Sequence, residues 1–157
     1  MNVEYINPFI EASQSVLMMM TGHKPNLGQV YLRKSPFHGN NIAVIVGLTG
    51  QIRGQVIISF SKNSALSVAS MMMGGMPVVE FDEISKSAIS ELANMIMGNT
   101  ATLLANRGIG IDITPPSLLM GEKLMISPSN MSTICVPLEL EGGNLMEIDI
   151  SLEQKGA

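Results

Sequence analysis

An α+β fold is predicted, in which two pseudo-symmetric halves, each a long helix and three strands, form a six-stranded, mainly antiparallel sheet with the long helices packed on it. Three observations carry this expectation. Two segments repeat apolar residues at helical spacing, each is followed by three strand-like runs punctuated by Pro, Asn and Gly, and 157 residues suit one self-sufficient core. Residues 1–157 are accordingly expected to form a single domain with an internal duplication of about 4–60 and 83–152.

The first helix is expected from Pro8 to Thr21, where Phe9, Ile10, Ala12, Val16, Leu17 and Met20 share a face and Gly22 supplies a stop. Strands follow at Gln29–Arg33, Ile42–Gly47 and Gln51–Phe60, with a hairpin at Thr49–Gly50. A short helix over Ser64–Met73 has Asn63 as a possible cap and Gly74–Gly75 as its end. Its Met71–Met73 run, like Met18–Met20, can serve as a pliable partner surface or as filling for irregular gaps in the core, and core filling is the expectation. A second long helix over about Glu83–Asn106 can be capped by Asp82 or Ser85 and is released by Gly108 and Gly110. Three further strands are expected at Ile111–Leu119, Ser132–Glu139 and Leu145–Ser151, with Gly142–Gly143 as a hairpin turn. Each half then offers a three-stranded antiparallel meander behind its helix.

Composition excludes several classes of function. A charged fraction of 14% lies below the usual value of about 25%, and the net charge of −4 lacks the clustered Lys and Arg that nucleic acid or an anionic membrane requires. The low charge leaves apolar surface to spare for a partner. The single Cys135 is expected as a buried apolar filler in a strand, and it ties the fold to no oxidising compartment. Glu4 and Glu11 interrupt any signal-peptide pattern, and no run approaches the roughly 20 apolar residues that span a bilayer. A cytoplasmic chain is expected. No metal site is expected either, because His23 and His38 stand in loops without ligands at metal spacing. Arg107–Gly108–Ile109–Gly110 ends a helix instead of preceding one, so it cannot cradle phosphate, and no Gly-x-Ser-x-Gly elbow is present.

The chemistry is concentrated on the second long helix. Ser87, Glu91, Asn94 and Gly98 stand at i, i+4, i+7 and i+11, which at about 100° per residue puts them on one narrow stripe. Ile89, Leu92, Ile96 and Leu103 form an apolar ridge on roughly the opposite side, so the stripe should face outwards. Gly98 costs such a helix about 1 kcal/mol relative to Ala, and helix formation gives no reason for it. Ala101 and Ala105 keep the same side low. Periodicity leaves two readings open: a solvated polar face with an incidental glycine, or a surface kept low for another backbone. The first helix has a related order, Asn7-x-x-x-Glu11-x-x-Gln14, with Met18 at the position of the glycine.

Ser87-x-x-x-Glu91-x-x-Asn94-x-x-x-Gly98 resembles the signature of the CheC/CheX/FliY phosphatases of bacterial chemotaxis: Asp or Ser, three residues, Glu, two, Asn, three, Gly. Chain length and the duplicated layout resemble that family too, although only the motif is specific. The resemblance implies hydrolysis of the phosphoaspartate on a phosphorylated CheY-like response regulator. Glu91 and Asn94 would be catalytic, and Ser87 and Gly98 would contact the partner. CheC-type members carry a Glu/Asn pair on both helices and CheX-type members on one. Gln14 and Met18 depart from the motif, so the CheX type is the better match, and with it a homodimer.

The resemblance also implies that the receiver brings its own Mg²⁺ and Lys, so the chain needs no cofactor of its own. An acyl phosphate is reactive already, and what is missing is an in-line water. The Asn94 amide, donor and acceptor at once, can orient that water, while Glu91 pairs with the receiver's Lys. Two other expectations differ in kind: a non-catalytic interaction module related to flagellar switch proteins, and a small-molecule sensor domain with a closed apolar pocket.

Overall fold

Residues 3–34, 37–127 and 131–154 are described by the computed structural model. The first helix, α1 (Val3–Thr21), begins before the Pro8 boundary that the sequence suggests. Pro8 has no N–H to offer the Glu4 carbonyl four residues back, which is the usual reason to end a helix there. That carbonyl instead accepts from Arg107 Nη1 at 3.3 Å. Gly22, at φ +79°, closes the other end by donating its N–H to the Met18 carbonyl at 2.9 Å.

Two short strands follow, β1 (Asn26–Leu27) and β2 (Tyr31–Arg33), where one strand was expected. Then come β3 (Phe37–His38), β4 (Ile42–Gly50), β5 (Ile52–Phe60), the short helix α2 (Lys62–Met72) and the long helix α3 (Glu83–Asn106). The second half supplies β6 (Ile111–Ile113), β7 (Ser117–Met120), β8 (Met125–Ile126), β9 (Ser132–Glu139) and β10 (Leu145–Gln154). Ser61, not Asn63, caps α2: its hydroxyl accepts from the Ser64 N–H. Asp82 caps α3 by accepting from the Ser85 N–H at 2.9 Å. That bond, made to the charged form, holds the Asp82 carboxyl below its usual range. The Arg107 contact sets the end of α3 beside the start of α1, so the long helices run antiparallel.

The main sheet is six positions wide, ordered β1/β2, β9, β10, β5, β4, β6/β7, with every pairing antiparallel. The two halves are not the closed meanders expected. The hairpins β4–β5 and β9–β10 meet through β5 and β10, and the leading strand of each half crosses to the outer strand of the other's hairpin. The connections after β2 and β7 are too long for hairpin turns, and the small strands they carry, β3 and β8, pair with each other. The resulting order reads alike from either edge.

Alternation along the strands assigns the faces. Val44 and Val46 of β4, Val56 and Ile58 of β5, and Ile148 and Ile150 of β10 point towards the helices, where they meet Phe9, Leu17, Ile89, Leu92 and Ile96. Leu104 is the fully buried member of the last turns of α3, and Leu103 is half-buried. The methionine runs do less filling than expected. Met20, Met71 and Met72 pack partly against the core, whereas Met18 and Met19 are 51% and 64% exposed.

The opposite face holds a polar knot around Arg33, and Cys135 belongs to it instead of filling an apolar gap. Arg33 Nη1 lies 2.7 Å from Glu147 Oε2 and 3.2 Å from Asp149 Oδ1, and Cys135 Sγ donates to Glu147 at 3.1 Å. The guanidinium also stacks on Phe37 at 4.4 Å. Burial pushes the Cys135 thiol well above its ordinary value and also raises Asp149, against the pull of Arg33. For Glu147, burial acts upwards too, but hydrogen bonds from Cys135 and Asn40 together with Arg33 outweigh it and hold the carboxyl low.

Candidate functional site

The acid and the amide of α3 stand where the helical spacing puts them. Ser87, Glu91 and Asn94 are exposed on the side away from buried Ile89, Leu92 and Ile96, and Gly98 is half-buried in the same row. Among the described residues no side-chain hydrogen bond or ion pair engages Glu91 or Asn94. Both are therefore open to a partner. The rigid position comes from α3 itself, which is capped at Asp82, packed on the sheet and flanked by α1 and α2.

Beyond its chain neighbours and the backbone of its own helix, a Cβ built on Gly98 would meet no atom of the described residues within 4 Å. Nothing among the described residues thus accounts for the glycine, which costs about 1 kcal/mol relative to Ala in a helix interior. An approaching surface from outside would account for it.

The stripe lines one side of an open groove. Ser87, Ser90, Glu91 and Asn94 form one wall of a groove of about 550 Å³, and Ile113, Thr114, Pro115 and Pro116 form the other. The expectation of one strand over Ile111–Leu119 leaves no place for that second wall, which spans the break between β6 and β7. The strand breaks because Pro115 and Pro116 have no N–H for the ladder, which confines such residues to edges and bulges. The Pro–Pro pair was the available signal.

On α1, Glu11 is exposed, but the Gln14 amide donates to the Pro25 carbonyl at 3.2 Å and is tied to its own chain. Met18 projects where Gly98 keeps α3 low.

A divalent cation has poor terms in the groove, whose only ionisable lining residue is Glu91; Mg²⁺ wants near-octahedral oxygen ligands. Elsewhere among the described residues, Cys135, Glu147 and Asp149 bring ligand atoms within 4.8 Å of one another. The Arg33 guanidinium already serves as the cation there. His23 pairs with Glu141 at 2.6 Å on the surface, and His38 is an exposed strand residue. Among the described residues no helix is long and apolar enough to cross a membrane.

The family model described as chemotaxis phosphatase CheX matches residues 42–139. The chain is 31% identical over 156 residues, 99% of its length and 100% of the relative's, to the CheY-P phosphatase CheX of Thermotoga maritima. Among solved structures it is similar to a CheC-like superfamily protein from Shewanella sp. PV-4, at 28% identity and a TM-score of 0.87, covering 98% of this chain and 99% of that one. It is also similar to the Borrelia burgdorferi protein of a CheX–CheY–BeF₃–Mg²⁺ complex, at 33% identity and a TM-score of 0.80, over 95% and 97% of the two chains.

Proposed function

The chain belongs to the CheX family of chemotaxis phosphatases, and from that membership we propose that it accelerates hydrolysis of the phosphoaspartate on a CheY-like response regulator, with Glu91 and Asn94 as its catalytic pair. The observation that carries the site assignment is the pairing of a free acid and a free amide, one helical turn apart, on one wall of an open groove beside a glycine that nothing among the described residues requires.

The roles follow from the side chains. Asn94 hydrogen-bonds the attacking water and aligns it with the phosphorus, opposite the leaving aspartate oxygen. It works by geometry, because an amide has no useful basicity. Glu91 pairs with the receiver's Lys in a charge-assisted contact that fixes register. Ser87 and Gly98 take the partner's surface, the glycine by leaving room for it. Water attacks phosphorus, the P–O bond to the aspartate breaks, and inorganic phosphate and a free carboxylate result. Mg²⁺ comes with the receiver and neutralises charge on the phosphoryl oxygens; the groove's single carboxylate fits that division of labour.

A sensor domain predicts a closed apolar pocket, whereas this groove is open and carries Ser, Glu and Asn. The same reading makes the protein cytoplasmic, like its substrate, and takes 4–60 and 83–152 as duplicated halves, which suits the sheet order. It also makes the chain a homodimer. Exposed Leu32 at one sheet edge and Leu119 and Met120 at the other are surfaces that pairing can cover; sedimentation as a single monomeric species would refute the dimer. The function is tested by adding purified protein to phosphorylated receivers of the same organism. Phosphate should leave a cognate receiver at least about tenfold faster, and unaltered decay across all of them would overturn the proposal.

A further inference from the structure

The outer edge of the sheet changes register beside the groove. Leu48, Thr49 and Gly50 of β4 pair with Ile113, Asp112 and Ile111, whereas Ile45 pairs with Ser117 and Val44 with Leu118. Paired numbers total 161 on one side of the break (48 and 113) and 162 on the other (45 and 117), so one extra residue lies on the edge strand. Thr114–Pro116 is a β-bulge, a device that bends an edge and re-aims its side chains.

The bulge is braced. Thr114 donates its N–H to the Gly47 carbonyl at 3.0 Å and accepts from the Gly47 N–H through Oγ1 at 2.8 Å. A Cβ on Gly47 would come within 3.0 Å of Thr114 Cγ2, so the glycine lets the bulge sit close against β4. Pro115 and Pro116 hold φ near −65° and have no N–H to recruit another strand. The result is a stiff, apolar wall facing the catalytic stripe.

Resting on the receiver-phosphatase reading, we infer that Thr114–Pro116 is the second jaw of the docking groove and grips the receiver surface that presents its Lys and phosphoaspartate to Glu91 and Asn94. A preformed wall loses little entropy on binding, so its contribution falls on recognition. At about 550 Å³ the groove has room for side chains that a partner's loop presents. Glu91 is its only charge, which suits a segment offering a single cation.

Phosphate release from a cognate receiver by the full chain, resolved into kcat and KM, tests this. Pro115→Arg changes an exposed residue, puts a cation opposite Glu91 and should raise KM at least about tenfold with kcat within about twofold. Pro115→Gly/Pro116→Gly loosens the wall and should raise KM in the same sense, with the melting temperature as a check on the fold. Unchanged KM in Pro115→Arg overturns the inference, as does a fall in kcat alone. If wild type is active and Asn94→Ala inactive while the Pro115→Arg KM is unaltered, the bulge role alone is refuted. An inactive wild type refutes both.

Discussion

The two long helices carry nearly the same polar order, yet the structure treats them differently. On α3, Glu91 and Asn94 are free, Gly98 leaves open space and a braced bulge faces them across a groove. On α1, the amide of Gln14 is spent on the Pro25 carbonyl and Met18 stands 51% exposed at the glycine's position. On the proposed reading, the difference teaches that an acid and an amide at the right spacing do not by themselves make a site. The amide must be unpaired, and the surface beyond it must be low enough for a second protein to reach it.

Writing the α1 pattern into α3 should break this contrast most severely. Asn94→Gln/Gly98→Met displaces the amide by about a methylene and blocks docking, so kcat should fall about a hundredfold and KM rise about tenfold in a receiver dephosphorylation assay. Glu91→Arg sets a cation against the receiver's Lys. Its largest effect should be on affinity, a loss of about thirtyfold by calorimetry with a milder fall in kcat. Gly98→Met alone should raise KM about tenfold and leave the saturated rate near wild type. The reverse exchange, Gln14→Asn/Met18→Gly, should change turnover by less than about twofold, since the segment carrying the Pro25 carbonyl already lies against the amide position on α1.

Arg33→Met separates site from scaffold. It should leave kcat/KM unaltered but cost about 3 kcal/mol in denaturant unfolding at neutral pH, because Asp149 and Glu147 lose their shared cation. The pH dependence has two opposed contributions in wild type. Glu147, held low, adds stability above its ordinary pKa that is lost as pH falls through its folded value. Asp149, held high, acts oppositely: its contribution is full below its ordinary pKa and lost as pH rises through the folded value. In the variant both carboxylates gain from protonation, so the penalty should shrink towards acid.

Much of the fold was legible because its signals are local. Apolar spacing placed α3 and its cap, and turn residues placed β4, β5, β9 and β10. Two misses have one cause. The exchange of leading strands between halves, and the polar knot joining Arg33 to Cys135, Glu147 and Asp149, depend on contacts far apart in sequence that no local pattern records. The bulge was different, since Pro115–Pro116 inside an expected strand already contradicted a continuous ladder. At the candidate site, the stripe was readable from period and residue type, but its facing wall was not, and neither was the hydrogen bond that ties Gln14 to Pro25.

The most direct test of the central claim is single-turnover phosphate release from a cognate receiver at saturating chain, comparing wild type with Asn94→Ala. With Asn94 as the group that orients the water, the saturated rate should fall at least about a hundredfold while receiver affinity and melting temperature stay near wild type. Undiminished turnover in Asn94→Ala would contradict the account.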